Sequence, residues 1–217
     1  MGLLNEIEFG SLFSYISRSE GKKLQPEAYS FVYPILKQDK LMPSEGVTAS
    51  EFVAQEVNDT SDLPFAQFFD EDVYLIPAPS SSKKRPGDLR LTLNLANALS
   101  KQGFGSVIDC LTRIERVDKA AFGSGRENRL VKRHFETISV AESLIEPKKI
   151  VVVDDVVTSG ATLLACASRI REVWPEAFVL GFAAVRAISP PGAEFVAQKE
   201  PRRGKIVLDG YYTKRTP

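Results

Sequence analysis

Ile150-Val151-Val152-Val153-Asp154-Asp155-Val156-Val157-Thr158-Ser159-Gly160-Ala161-Thr162 changes character twice within thirteen residues. Four consecutive aliphatic residues predict a buried strand. Asp154 and Asp155 then emerge at its carboxyl end, and two adjacent carboxylates repel each other unless a partner compensates. Vicinal hydroxyls of a sugar, or a magnesium ion held by them, are suitable partners. From Thr158 to Thr162 the residues are small and open a helix. Unpaired amides and the positive end of the helix dipole make that turn a phosphate site. Thr158, Ser159 and Thr162 add hydroxyl donors, and Gly160 lets the backbone come close. Either half alone reads as an ordinary strand end or helix start. In this order, a carboxylate pair and a phosphate nest match the two ends of a ribose 5-phosphate.

Outward from this segment, Gly160–Trp174 predicts a helix with Leu163, Ala167, Ile170 and Val173 on one face, followed by a strand over Ala177–Ala184. Upstream, Val73–Ile76 predicts a short buried strand ending in Pro77-Ala78-Pro79. Asp88 to about Gln102 predicts a helix, and Ser106–Ile114 a further strand. Strands alternating with helices imply an α/β fold, a mostly parallel sheet with helices on both faces. Ligands of such sheets bind at the carboxyl ends of the strands. Residues 1–70 read differently. Pro26–Gln38 carries apolar residues at helical spacing, and Thr48-Ala49-Ser50-Glu51 predicts a capping box opening a helix through Val57. The expected organisation is a helical N-terminal region or hood over 1–70 and a core with a C-terminal extension over 71–217.

The composition bounds the function. The chain has 217 residues, 43% hydrophobic, with 28 basic and 28 acidic side chains. That suffices for one core, and the balanced charge does not indicate a nucleic-acid coat, so phosphate-binding surface must come from local clustering. Cys110 and Cys166 stand far apart without a CxxC pair, which argues for two buried thiols rather than zinc or disulfides. Met1–Glu6 lacks the basic end and apolar run of a signal peptide, and no stretch reaches membrane-spanning length. A soluble cytoplasmic protein is the expectation.

Two further clusters are basic. Ser80-Ser81-Ser82-Lys83-Lys84-Arg85 places hydroxyls and cations directly after a predicted strand. Arg113–Arg133 holds seven basic residues against three acidic ones around Gly123-Ser124-Gly125, and reads as a mobile loop able to close over a polyphosphate. The alternatives are a solvated basic loop and an exposed charged hairpin. His134, the one histidine, and Trp174 read as structural residues. The N-terminal aromatics Phe13, Tyr15, Tyr29, Phe31 and Tyr33 could roof a site, although core packing is the simpler reading.

The Ile150–Thr162 segment resembles the phosphoribosyl pyrophosphate (PRPP) motif of type I phosphoribosyltransferases. Leu75–Arg85, Leu111–Ile114 and Arg126–Arg129 are similar to the competence protein F-like branch of that family. Two features depart from that branch. Arg85-Pro86-Gly87-Asp88-Leu89-Arg90 replaces an Arg-Gly-Phe-Asn-Gln motif, and no N-terminal zinc ribbon can be built.

The resemblance implies the type I phosphoribosyltransferase fold and displacement of pyrophosphate from C1 of PRPP by a nitrogenous acceptor. It implies Asp154 and Asp155 on the ribose hydroxyls, and Val156, Val157, Thr158, Ser159, Gly160, Ala161 and Thr162 around the 5-phosphate. Ser80, Ser81, Ser82, Lys83, Lys84, Lys119, Arg126 and Arg129 would hold the pyrophosphate, with Lys83 neutralising the leaving group. Magnesium would arrive chiefly on the substrate, with Asp154 and Asp155 as its nearest protein oxygens. Enzymes of the family acting on 6-oxopurines usually carry an acidic residue where this chain has Thr158, which counts against such an acceptor. A homodimer is common in the family. A non-catalytic PRPP or nucleotide sensor, and a DNA-uptake accessory protein, remain the alternatives.

Overall fold

The structure is a computed structural model, described for residues 2–16, 31–81, 88–115, 130–141, 145–188 and 199–216. Its centre is a seven-stranded sheet. The strands in chain order are β1 (Glu6–Ile16), β2 (Tyr74–Pro77), β3 (Ser106–Val107), β6 (Lys149–Val157), β7 (Phe178–Ile188), β8 (Lys199–Asp209) and β9 (Tyr212–Thr216), arranged β3-β2-β6-β7-β1-β8-β9. The first five neighbours run parallel, and β8 and β9 add antiparallel. A separate antiparallel pair joins β4 (Leu111–Arg113) to β5 (Ile138–Val140). The helices are α1 (Ala49–Asn58), α2 (Leu91–Lys101), α3 (Val131–Glu136) and α4 (Ala161–Val173).

The alternation of β6 distributes two cores. Val151 and Val153 face α1 and α2, together with Leu12, Leu75, Phe65 and Phe182. Ile150 and Val152 face α4 and the start of α3, together with Phe9, Ile76 and Ile206. Helices therefore cover both faces of a mostly parallel sheet, as the sequence predicts. Such a sheet buries its strands on both sides, which is why β6 needs four consecutive aliphatics. The Thr48 capping box is present, with Glu51 N–H donating to Thr48 Oγ1 and Thr48 N–H donating to the Glu51 carboxylate.

Four sequence expectations require correction. Residues 1–70 are not uniformly helical, because β1 lies inside the core sheet between β7 and β8. Its Gly10 is packed so closely that an added Cβ would meet the Phe65 ring at 2.5 Å. Ser106–Ile114 is not one strand. Its two halves join different sheets, with Asp109 between them drawn into a bidentate ion pair with Arg90. The described part of Pro26–Gln38 forms a π turn over Phe31–Ile35, which contains Pro34, and a 3-10 turn over Leu36–Gln38. Proline supplies no N–H to a regular α-helical ladder. Finally, Val173 is 43% exposed rather than part of the buried face of α4. Trp174 just beyond it is buried, as the packing reading expects.

No helix among the described residues is long and apolar enough to cross a membrane.

Candidate active site

β6 carries Asp154 and Asp155 in its last turn of extended chain, and both are half-buried. Asp155 N–H donates to Asp154 Oδ1 at 2.9 Å, and Val156 N–H donates to Asp155 Oδ1 at 2.9 Å. Burial, and next the charge of Asp155, push the Asp154 carboxyl well above its ordinary value. Lys37, from the 3-10 turn, brings its Nζ to 3.8 Å from Asp155 Oδ2.

The chain leaves β6 at Val157, exposes Thr158, and enters α4 through Gly160. Gly160 has φ +90°, the left-handed region that side-chain-bearing residues avoid. A Cβ there would also lie 2.6 Å from Ile206 of β8. No side chain caps α4, so its first amides have no side-chain acceptor at the N-cap. The arrangement can receive an anion at the helix start, one short turn from the carboxylate pair.

Neighbouring elements enclose this turn. Ala78 N–H donates to Val153 O at 2.8 Å, which carries the pairing of β2 with β6 one residue past Pro77. Arg113 is 6% exposed and ties the loop after β2 to the next elements. Its Nε donates to Ser80 O at 3.2 Å, and one NH donates to Thr137 Oγ1 at 2.7 Å. Burial lowers the pKa of this guanidinium. Thr162 Oγ1 lies 3.5 Å from His134 Nδ1. On the other side, Arg215 of β9 donates to Val157 O at 3.4 Å and to Ala187 O. Burial, with the nearby Arg186, lowers the Arg215 pKa to about 10. The β8–β9 hairpin thus curls back from the far side of the sheet to brace the loop.

Of the expected site residues, the described ones are Asp154, Asp155, Val156, Val157, Thr158, Ser159, Gly160, Ala161 and Thr162, contiguous from β6 into α4, and Ser80 and Ser81, which follow the strand paired with β6. Ser82, Lys83, Lys84, Lys119, Arg126 and Arg129 lie outside the described residues. Arg113 corrects the mobile-loop expectation at its start, being a buried member of β4. Arg133 likewise belongs to α3 and pairs with Glu115 at 3.2 Å. Sequence reasoning missed Lys37 and Arg215, since an isolated basic residue far along the chain carries no local signal. His134, read as structural, stands beside Thr162 at the start of α4. The two thiols are free and buried, with Cys110 raised by burial to about 11.

The match to known sequences decides the family. Residues 90–205, more than half of the chain, match the phosphoribosyl transferase domain model. The chain belongs to the phosphoribosyltransferase domain family. The match stands at the level of the domain and does not single out the competence protein F-like branch. No curated protein sequence matches the chain.

Among solved structures, the chain is similar to a hypoxanthine-guanine phosphoribosyltransferase from Bacillus anthracis, at 13% identity and TM-score 0.36, covering 68% of this chain and 76% of that one. A hypoxanthine phosphoribosyltransferase from Staphylococcus aureus is similar at 9% identity and TM-score 0.31, over 68% and 70% of the two chains. That of Trypanosoma cruzi is similar at 13% and 0.30, over 68% and 69%. Likeness at these levels adds nothing to the family assignment, which rests on the domain match.

The donor set at the end of β6 suits magnesium in kind, being two hard carboxylates. Among the described residues no three His, Cys, Asp or Glu side chains converge on one metal position. A magnesium ion here would complete its shell from substrate oxygens and water.

Proposed function

We propose that the chain transfers the phosphoribosyl group of PRPP to a nitrogenous acceptor. One observation carries this reading. The acidic pair lies near the end of β6, with only Val156 and Val157 of the strand after it, and the uncapped start of α4 follows through a left-handed glycine. Asp154 and Asp155 accept hydrogen bonds from the ribose hydroxyls. The amides and hydroxyls of residues 158–162 hold the 5-phosphate, with Gly160 allowing close approach.

The bond from C1 to the pyrophosphate oxygen breaks, a bond from C1 to the acceptor nitrogen forms, and the nitrogen gives up a proton. Ser80, Ser81, Ser82, Lys83 and Lys84, with Lys119, Arg126 and Arg129, neutralise the departing pyrophosphate. Cations and N–H donors placed where charge develops lower such barriers most effectively. Magnesium would be held chiefly by the substrate, with Asp154 and Asp155 as the protein oxygens nearest it, and would supply further charge neutralisation. The short helical segments of residues 31–70 form the hood over the acceptor. Thr158 replaces the acidic residue usual for 6-oxopurine acceptors, so the acceptor is another nitrogenous compound.

The test is pyrophosphate release from magnesium PRPP in the presence of a panel of purine, pyrimidine and pyridine acceptors. Release that requires one acceptor supports transfer. PRPP that binds but persists with every acceptor moves the reading to a sensor.

A further inference from the structure

Lys37 lies outside the residues that match the family domain, yet among the described residues its ammonium forms the one ion pair with the acidic pair, 3.8 Å from Asp155 Oδ2. Its placement is fixed by packing. Val32, in the π turn before the 3-10 turn, and Leu36, at the start of the 3-10 turn, are 1% and 0% exposed. Asp39 closes the turn at φ +47°, and its carboxylate accepts hydrogen bonds from Ser50 N–H at 2.9 Å and Asn94 Nδ2 at 2.7 Å. These bonds tie the turn to α1 and α2. The Lys37 Nζ itself sits between Asp155 Oδ2 at 3.8 Å and the Tyr33 ring, whose centroid is 5.7 Å away. A lysine held on a turn bolted to two helices and flanked by an aromatic ring has lost much of its side-chain freedom, so its charge is preorganised toward the carboxylates.

The carboxylates need that charge. Asp154 and Asp155 are consecutive and half-buried; among the described residues they accept two backbone N–H donors, hydrogen-bond to each other, and have the buried Arg113 guanidinium within electrostatic reach of Asp154 alone. We propose that Lys37 is the resident counter-cation of the acidic pair. It compensates the two carboxylates while no sugar is bound and keeps a free divalent cation from settling on them. It therefore makes the site accept a divalent ion only as a complex with the substrate. This deepens the reading of Asp154 and Asp155 as the sugar-binding pair, and rests on it for its role in turnover.

The experiment is a titration of the full chain, free of PRPP, with Mn2+, followed by electron paramagnetic resonance. It uses wild type, Lys37→Met, Lys37→Arg and Lys37→Met combined with Asp154→Asn and Asp155→Asn. Lys37→Met keeps an unbranched apolar stem and removes only the charge. It is expected to bind Mn2+ about tenfold or more tightly than wild type, the equivalent of about 1.4 kcal/mol. Lys37→Arg is expected to behave as wild type, and the triple variant to lose the gain. Equal Mn2+ affinity in wild type and Lys37→Met overturns the proposal, as does a gain that survives removal of both aspartates. Should Lys37→Met not fold, Lys37→Gln is read by the same criteria. PRPP is absent throughout, so failure here is distinct from failure of the transferase reading.

Discussion

Burial and the charge of Asp155 together hold the Asp154 carboxyl well above its ordinary value of 3.8. A carboxyl raised by folding stabilises the native state only while protonated. Its contribution is complete below the unfolded pKa and is lost as the pH rises through the folded one. At pH 7 an ionised Asp154 therefore works against stability, as active-site groups often do. Asp154→Asn is expected to melt at a higher temperature than wild type at pH 7, with the difference shrinking as the pH falls towards about 4. Scanning calorimetry across that interval checks it, and an Asn variant that melts lower at pH 7 would mean the carboxylate is better compensated than its surroundings indicate. Asp154, Asp155 and Gly160 were legible in the sequence because strand, acids and small-residue turn are contiguous. Lys37 was not, because its meaning depends on a turn that packs against α1 and α2 more than fifty residues from Asn94.

At the scale of elements, β6 announces itself through four aliphatics, whereas β1 and β8 do not. β1 carries Glu6, Glu8, Ser11 and Ser14, yet it occupies an interior position in the sheet. Ser11 accepts from Arg186 at 3.5 Å, and Ser14 donates to Glu200 at 3.1 Å, so its polar residues are satisfied across the sheet. β8, which the sequence gives only as part of a C-terminal extension, carries Arg203 and Lys205 balanced by Glu8 and Glu6 on the strand beside it, at 2.5 and 2.7 Å. Cross-strand pairing is invisible in any one segment.

The hairpin that β8 begins also has a task at the site, because Ile206 closes over Gly160. Ile206→Ala would open a cavity there and is expected to cost about 2–5 kcal/mol in urea unfolding, while Ile206→Val costs about 0.5–1.5 kcal/mol. The same series should weaken PRPP binding in the same order, since the loop loses its support. Unchanged stability in Ile206→Ala would show that the hairpin does not brace the loop.

At the scale of the molecule, the sheet order brings the carboxyl ends of β2 and β6 side by side, where an open parallel sheet binds its ligands. Residues distant in sequence converge there. Ser80 comes from the end of β2, residues 154–162 from β6 and α4, Lys37 from the N-terminal turn, and Arg215 from the last strand. Equal numbers of acidic and basic residues give the whole chain no net field. Affinity for a polyphosphate must therefore arise from this local convergence, through charge-assisted bonds and preorganised amides. The core alternation that builds the sheet was readable from periodicity. The braces that hold the site were not, because they come from parts of the chain whose local composition is polar.

On the proposed function, the end of β6 binds the ribose 5-phosphate part of PRPP. Calorimetric titration of magnesium PRPP into wild type and into the Asp154→Asn/Asp155→Asn double variant tests it directly. Binding in the micromolar range, about 8 kcal/mol, is expected for wild type, and its loss in the double variant. Equal binding by both proteins, or none by wild type, would contradict it.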